Sequence, residues 1–300
     1  FMDDLTNWVL STNIATYDPL IVDGGEHSKN SMQVVNQVLG TINTNNFCRK
    51  SCILVIGGGA VLDAVGYAAS IAHRGIPIIR MPSTTLSQCD SGIGVKNAIN
   101  YFGKKNFVGV FDPPFAVVND TRLLSSLDDR QWCSGLSEAI KVALIKDATF
   151  FNEIEAKCPQ LIRRETDTMR NVIKKSAILH LEHITKGGDP FERLDARPLD
   201  FGHWAAHKLE QITNHSLTHG EAVSIGLVID IKCSVALGLL ESSIAERIIG
   251  VLDSLGLPTK HPALADPELL NGIEEFRQHI GGRLTLLMLT DIAKPIDIHA

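Results

Sequence analysis

The chain has 300 residues, of which 44% are apolar and 21% are charged, and its formal net charge is −6. This balance is typical of a globular protein with a buried core, and the length suits two domains or one large α/β domain. The negative charge argues against nucleic-acid binding and against a basic membrane-binding surface. The sequence has no uninterrupted apolar run long enough to cross a membrane.

Cysteine usage and the first residues bear on location. The six cysteines are dispersed and form no CxxC pair, which favours a reduced, cytoplasmic setting. The first residues show no signal-peptide pattern and resemble a chain entered partway through a fold.

The first part of the chain alternates predicted strands and helices. The apolar run Ser51–Ile56 ends in three glycines and is typical of a buried parallel strand. This alternation predicts βαβ units and a parallel sheet. The predicted helices are Asp4–Leu10, Ser31–Leu39 and Ala60–His73, and the predicted strands are Asp18–Val22, Ser51–Ile56, Ile76–Met81 and Phe115–Val118.

From about Leu127 the pattern becomes mostly helical. One late strand is predicted over Leu284–Leu289. The predicted helices are Trp132–Lys146, Phe150–Ala156, Glu165–Leu181, His203–Thr213, Glu221–Leu239 and Ser243–Leu255. The sequence therefore predicts an α/β, Rossmann-like N-terminal domain with a parallel sheet over residues 1–126. A mostly α-helical C-terminal domain is predicted over residues 127–300.

A glycine turn is the first chemical signal. Gly57, Gly58 and Gly59 follow the buried strand and open a helix, and Asp63 lies in that helix. Glycines at such a turn let the backbone approach a phosphate, and the helix N-terminus favours its negative charge. Because the spacing is not GxGxxG, a tight turn without a ligand is the alternative.

A polar cluster follows the next predicted strand. The hydroxyl groups of Ser83, Thr84 and Thr85 come where that strand ends, which is where open α/β sheets bind ligands. Lysine and asparagine side chains further along could hold a phosphate or another anion, and a solvated loop is the alternative. These later polar residues are Gln88, Asp90, Lys96, Asn97, Asn100, Lys104, Lys105 and Asn106.

Histidines and a glutamate supply the third signal. His203 and His207 are four residues apart and share one helix face. Together with His219 and Glu138 they suit a catalytic zinc that keeps one open position. The alternative is that one of the histidines is a core or surface residue. A competing cluster of His180, Glu182 and His183 is interpreted as a solvated helix face.

These motifs together resemble the dehydroquinate synthase-like sugar phosphate cyclases. They keep their order and spacing over roughly residues 20 to 290, and the combination is highly specific. The resemblance implies an NAD-binding α/β domain joined to a helical metal-binding domain, with the active site between them. It is carried by Gly57–Asp63, Arg74–Gly75, Pro82–Leu86, Asp90–Lys96, Lys105–Asn106, Gly135–Lys141, Gly202–His203 and His219–Val223.

The resemblance also implies roles for individual residues. The metal ligands, for Zn²⁺ or Co²⁺, would be Glu138, His203 and His219. The catalytic residues would be Asp90, Lys141, Glu192 and His207. The NAD-binding residues would be Glu26, Lys29, Gly57, Gly58, Gly59, Asp63, Ser83, Thr84, Thr85 and Lys105. The substrate-binding residues would be Arg74, Lys96, Asn106, Arg197 and Asp200. Arg74 matches an arginine that reaches the neighbouring subunit's site, which implies a homodimer.

Departures from the family pattern concern groups that bind the substrate. A family asparagine is Asp200 here, and a family arginine is Ala196 unless Arg197 compensates. A family lysine corresponds to His180 or Glu182, and a late lysine falls in Arg277–His279. Because such cations hold a carboxylate or phosphate, their loss predicts a substrate other than the dehydroquinate precursor. Sedoheptulose 7-phosphate cyclases share the aspartate but usually lose the second histidine, which is retained here as His207.

The implied reaction is a cyclisation in which NAD is regenerated. A hydroxyl is oxidised, phosphate leaves by β-elimination, the hydride returns, and an intramolecular aldol step closes a carbocycle. The expected partner is a small sugar phosphate, with no nucleic acid and no membrane. Three alternatives stay open: dehydroquinate synthase itself, a metal-dependent NAD polyol or alcohol dehydrogenase on a related fold, and a non-catalytic NAD-binding protein.

Overall fold

The computed structural model describes residues 2–12, 14–194 and 197–299, with the side chains of residues 2 and 10 left aside. These residues form two compact units. The first runs to Ser87 and resumes over Val95–Ser126, and the second comprises Gln88–Gly94 and the chain from Leu127 onward. No described helix is both long enough and apolar enough to cross a membrane.

The first unit is an α/β unit around a parallel sheet. Strand order is β1–β2–β5, with Ile53 opposite Ile78 and Ile79 opposite Ala116. The apolar faces of α2 and α3 form the core of this unit together with β1 and β2. The elements are α1 (Met2–Leu10), α2 (Gln33–Thr44), β1 (Ile53–Gly57), α3 (Gly59–Ile71), β2 (Ile78–Pro82), β3 (Lys96–Tyr101), β4 (Lys104–Phe111) and β5 (Ala116–Val117).

One sequence prediction for this unit is wrong, and one alternative that the sequence left open is excluded. Residues Asp18–Val22 form no strand: no described strand pairs with them, and Ile21 is 90% exposed. The polar segment after Asp90 is an antiparallel hairpin of β3 and β4, with Lys96 opposite Phe111, rather than a solvated loop. Its strands were hidden because lysine and asparagine interrupt the apolar alternation that marks a strand.

The second unit is mostly helical, as predicted. The helix predicted over Trp132–Lys146 is two helices that meet at Gly135, and the late strand pairs with a second strand that the sequence did not indicate. The elements are α4 (Asp129–Ser134), α5 (Leu136–Lys146), α6 (Ala148–Ile162), α7 (Thr166–Lys186), α8 (His203–Ile212), α9 (His219–Ala236), α10 (Ser242–Ser254), α11 (Asn271–His279), β6 (Thr285–Asp291) and β7 (Lys294–His299).

Two buried helices position the functional side chains of this unit. Every residue of α5 from Leu136 to Ile145 is buried. Helix α9 starts at a capping box, in which Thr218 and Glu221 each bond the other's backbone N–H. Strand β6 packs on α9, and Leu289 N donates to Ser234 Oγ at 3.1 Å. The burial of α5 fixes the position of Glu138, and the capping box fixes the first turn of α9, where His219 lies. The predicted division into an α/β part with a parallel sheet and a helical part is confirmed.

Candidate active site

Four predicted site residues meet in the second unit. Glu138 lies on α5, His203 and His207 on α8, and His219 at the start of α9. Glu138 Oε1 lies 3.6 Å from His203 Nε2 and 3.5 Å from His219 Nε2. One nitrogen from each of the three histidines lies within 4.8 Å of the others. The structure thus brings the three predicted metal ligands together and adds His207 to them.

The environment of these side chains fits a divalent cation. Glu138 is 1% exposed, and its Oε1 accepts no hydrogen bond although it is buried. A buried carboxylate oxygen with no donor is costly unless a cation satisfies it. Burial lowers the pKa of His203 well below its usual value, and the charges of Lys141, His207 and His219 add to this effect. The imidazole is therefore neutral at neutral pH, which is the form that binds a metal.

Hydrogen bonds orient two of the imidazoles. His203 Nδ1 donates to Phe201 O at 3.1 Å, and His219 Nδ1 donates to Glu210 Oε2 at 2.9 Å. Donation from Nδ1 leaves the lone pair on Nε2, the atom that faces Glu138. Glu210 is not among the predicted site residues, although its position two turns after His203 on the same helix could have indicated it.

Asp90 pairs with His180, a histidine expected to lie on a solvated helix face. His180 Nδ1 donates to Asp90 Oδ1 at 2.8 Å, and His180 is 8% exposed. Glu182 is exposed and pairs with Lys186 at 2.7 Å. The interpretation of this region as a solvated helix face is therefore right for Glu182 and wrong for His180, since α7 turns His180 inward.

Lys141 is the buried lysine of this region. Its Nζ lies 2.5 Å from Glu138 Oε2. Burial opposes its charge, but Glu138 and Asp90 outweigh burial and raise the pKa of Lys141. Burial likewise opposes ionisation of Asp90, while Lys141, His180 and His203 hold its pKa below the usual value. Both groups are therefore charged at neutral pH.

Three further predicted residues lie shortly before α8. Arg197 Nη2 donates to Glu192 O at 2.9 Å, and its Nη1 lies 3.8 Å from Glu192 Oε2. Asp200 Oδ2 is buried and accepts no hydrogen bond, and the charge of Asp200 contributes to the raised pKa of Lys141. The Ala196 position, where the family has an arginine, lies outside the described residues.

A separate charged cluster lies in the first unit. Lys29 is 2% exposed, and its Nζ donates to Asp63 Oδ2 at 2.6 Å and to Asn106 Oδ1 at 2.5 Å. Glu26 Oε1 lies 4.0 Å from both Lys29 Nζ and Lys105 Nζ. The structure thus brings five predicted residues together. Asn100 bridges them, because it donates to Glu26 Oε1 and accepts from the Asn106 N–H.

The glycine turn lies in the same unit. Gly58 is the N-cap of α3 and offers no side chain to the first N–H groups of the helix. A Cβ on Gly57 would lie 2.8 Å from Val61 Cβ, and one on Gly58 would lie 3.1 Å from Thr84 Cγ2. The turn is closed by the Ser83 N–H, which donates to Gly57 O at 2.8 Å. This open helix N-terminus fits a phosphate group.

The remaining predicted residues are distributed as follows. Thr84 bonds with Ser87, and Thr85 is buried with an Oγ1 that has no hydrogen-bond partner. Arg74 is exposed in the left-handed region at φ 66°, and Lys96 is exposed as the first residue of β3. The binding roles given to Arg74 and Lys96 stay predictions.

Comparison with known proteins gives the family. Residues 19–134 match the family model of the 3-dehydroquinate synthase N-terminal domain, and residues 135–277 match that of the C-terminal domain. A 3-dehydroquinate synthase from Halorhodospira halophila is 33% identical over 91% of this chain and 76% of its own length. A 2-epi-valiolone synthase from Actinosynnema mirum is 35% identical over 85% of this chain and 67% of its own length.

A solved structure shows the same fold. ValA, a 2-epi-5-epi-valiolone synthase from Streptomyces hygroscopicus subsp. jinggangensis with NAD⁺ and Zn²⁺ bound, superposes with a TM-score of 0.88 at 29% identity. The alignment covers 93% of this chain and 78% of that one. The chain therefore belongs to the dehydroquinate synthase family, a family of enzymes that are phosphate-eliminating cyclases.

Proposed function

We propose that this chain is an NAD- and divalent-metal-dependent cyclase of a sugar phosphate that has no carboxylate group. When bound, NAD would accept and return a hydride, and Zn²⁺ or Co²⁺ would polarise a substrate oxygen. Glu138, His203 and His219 would hold the metal, which fits the buried Glu138 oxygen that accepts no hydrogen bond. The relative ValA, which carries NAD⁺ and Zn²⁺, supports both cofactors.

Residues of the first unit would bind NAD. The uncapped N–H groups at the start of α3 suit the pyrophosphate, because they are donors at the positive end of the helix dipole. Lys29 holds the Asp63 carboxylate, which lies further along the same helix. Glu26, half buried beside Lys105, is a carboxylate that can accept hydrogen bonds from ribose hydroxyl groups.

Residues of the second unit would bind the sugar and move protons. Asp90 and Glu192 are acceptors for sugar hydroxyl groups, and Lys141 is a donor held charged by Glu138. His207 lies against the two histidine ligands, with ring centroids 5.4 Å from His203 and 5.7 Å from His219. An imidazole at this position is a candidate general acid or base.

The proposed substrate class rests chiefly on Asp200. Its buried Oδ2 has no donor, so it suits a substrate hydroxyl and would repel a substrate carboxylate. Arg197, the cation that could stand in for the family arginine, is bonded to Glu192 instead. The 2-epi-valiolone synthase at 35% identity and the 3-dehydroquinate synthase at 33% are about equally similar to this chain, so the proposed substrate class rests on Asp200 and Arg197.

Steady-state phosphate release tests the substrate class. With NAD and zinc present, we expect kcat/KM for sedoheptulose 7-phosphate to exceed that for the carboxylated seven-carbon sugar by about tenfold or more, since a like charge at Asp200 costs binding energy. Asp200→Asn should narrow this ratio, and Asp253→Asn, at an exposed position, should leave it unchanged. Efficient turnover of the carboxylated sugar by the wild-type enzyme would contradict the proposal and identify a dehydroquinate synthase.

Measuring NADH absorbance together with phosphate release distinguishes the cyclase from a dehydrogenase and from a non-catalytic protein. A polyol or alcohol dehydrogenase would accumulate NADH without releasing phosphate, whereas the cyclase regenerates NAD in each turnover. A non-catalytic protein would show neither signal.

We also propose a homodimer, because Arg74 matches an arginine that reaches a neighbouring subunit. Sedimentation analysis of the wild-type protein tests this assembly. A single species with the mass of one chain would contradict it.

A further inference from the structure

Asp230 is a buried carboxylate with no assigned role. It lies on α9, the helix that starts at His219, and is 2% exposed. Its Oδ2 accepts from the Gly202 N–H at 2.7 Å, and its Oδ1 accepts from Trp204 Nε1 at 2.8 Å. Both donors are neutral N–H groups, and they belong to the residues directly before and after His203.

The turn that Asp230 holds is also pressed against α9. Gly202 has a φ of 78°, a conformation that glycine adopts without strain. A Cβ on Gly202 would lie 2.7 Å from Leu227 N, and one on Gly226 would lie 2.0 Å from Gly202 O. Two glycines therefore allow backbone-to-backbone contact at this crossing. The two hydrogen bonds to Asp230 fix the orientation of the Gly202 turn on α9.

The two helices orient each other's histidine. Helix α8 carries His203 and also Glu210, which accepts from His219 Nδ1. Helix α9 carries His219 and also Asp230, which accepts hydrogen bonds from both neighbours of His203. His203 Nδ1 bonds to the backbone oxygen of Phe201, so the direction of its ring depends on the turn. A small shift of that turn would move Nε2 away from Glu138.

We propose that Asp230, together with Trp204, is a positioning residue for the metal site. It acts through the Gly202 amide and the Trp204 indole to hold His203 Nε2 toward Glu138 and His219. The inference rests on the proposed metal-dependent function. Groups behind the ligands typically change metal affinity by about 10- to 100-fold when they are lost.

The test is a zinc competition titration against a chromogenic chelator, on the full chain. We expect Asp230→Ala, which loses both acceptors, to weaken zinc binding by about 10- to 100-fold. Asp230→Asn keeps one acceptor and should weaken it less, as should Trp204→Phe. Trp204→Phe removes only one donor, so it stays informative if Asp230→Ala does not fold.

Ser234→Ala is the matched control. Ser234 is buried one turn further along α9, where it donates to Asp230 O and accepts from the Leu289 N–H. Its loss should lower the unfolding temperature without changing zinc affinity. NAD affinity should be unchanged in every variant.

The outcomes distinguish the two proposals. If the wild-type protein binds no zinc, both the proposed function and this inference are contradicted. If the wild type binds zinc and the Asp230 and Trp204 variants bind it as Ser234→Ala does, only the inference falls. A graded loss of affinity at unchanged NAD binding supports it.

Discussion

The charged clusters of the two units are balanced in different ways. In the first unit, Lys29 lies between the oxygens of Asp63 and Asn106, so its buried charge is matched within the protein. In the second unit, oxygens of Glu138 and Asp200 are buried without a donor. A cluster that satisfies itself stabilises the fold without a ligand, whereas one with unmatched oxygens is stabilised when a ligand supplies the missing charge or donor.

The largest expected effect is at the unmatched site. Glu138→Gln removes the buried negative charge, so zinc binding should be lost and kcat/KM should fall by about 10³-fold, since a metal supplies several kcal/mol of charge stabilisation. Metal analysis and phosphate release measure the two effects. Glu246→Gln, the same change at an exposed position on α10, should change neither. Full zinc content in Glu138→Gln would favour a site formed by His203, His207 and His219 alone.

Disrupting the Lys29 cluster of the first unit should lower the free energy of unfolding. Lys29→Met leaves the half-buried Asp63 carboxylate without its cation, which should destabilise the first unit by about 3–5 kcal/mol. Denaturant unfolding measures this. The double variant Lys29→Met with Asp63→Asn removes the unpaired charge and should recover part of the loss. If the single variant is as stable as the wild type, the cluster does not stabilise the fold.

Stability of the second unit should depend on pH through Asp230. Burial raises the pKa of Asp230 to about 7, against the two N–H donors that favour its charged form. Between about pH 4 and pH 7, Asp230 is protonated in the folded state but ionised in the unfolded chain. The free energy of unfolding should therefore fall by about 2–4 kcal/mol as the pH rises through this range. Thermal unfolding across this range measures the slope, and Asp230→Asn should flatten it. An unchanged slope in that variant would assign it to other groups.

The smallest expected effects are those of alanine substitutions at Gly57 and Gly58, which should differ from each other. A Cβ on Gly58 meets only the side chain of Thr84, so Gly58→Ala should change stability by less than about 1 kcal/mol and weaken NAD binding by about tenfold through loss of close backbone approach. Gly57→Ala would collide with Val61 and should destabilise by about 1–3 kcal/mol. Calorimetric NAD titration and unfolding curves measure both. Unchanged NAD affinity in Gly58→Ala would place the cofactor elsewhere.

Local sequence pattern predicted the parallel strands and most helices because their apolar residues recur at the right period. It failed for β3 and β4, where polar residues such as Asn97 and Asn100 bond inside the unit and therefore occupy buried positions. The motifs of Glu138, His203 and His219 were sufficient to predict that these side chains come together, and their role as metal ligands stays a prediction. Whether His180 or Glu182 points inward could not, because that depends on the rotation of α7 about its axis.

The segment Gln88–Gly94 has a consequence for how the chain folds during synthesis. It is flanked on both sides by the first unit, yet its own contacts are with the second: Ser176 Oγ donates to Cys89 O at 3.2 Å, and His180 holds Asp90. The N-terminal unit emerges from the ribosome first. After this unit ends at Ser126, about fifty further residues must be synthesised before Ser176 and His180 can contact the segment. A fragment that ends at Ser126 should be cleaved by a protease within this loop, at a site that the full chain protects.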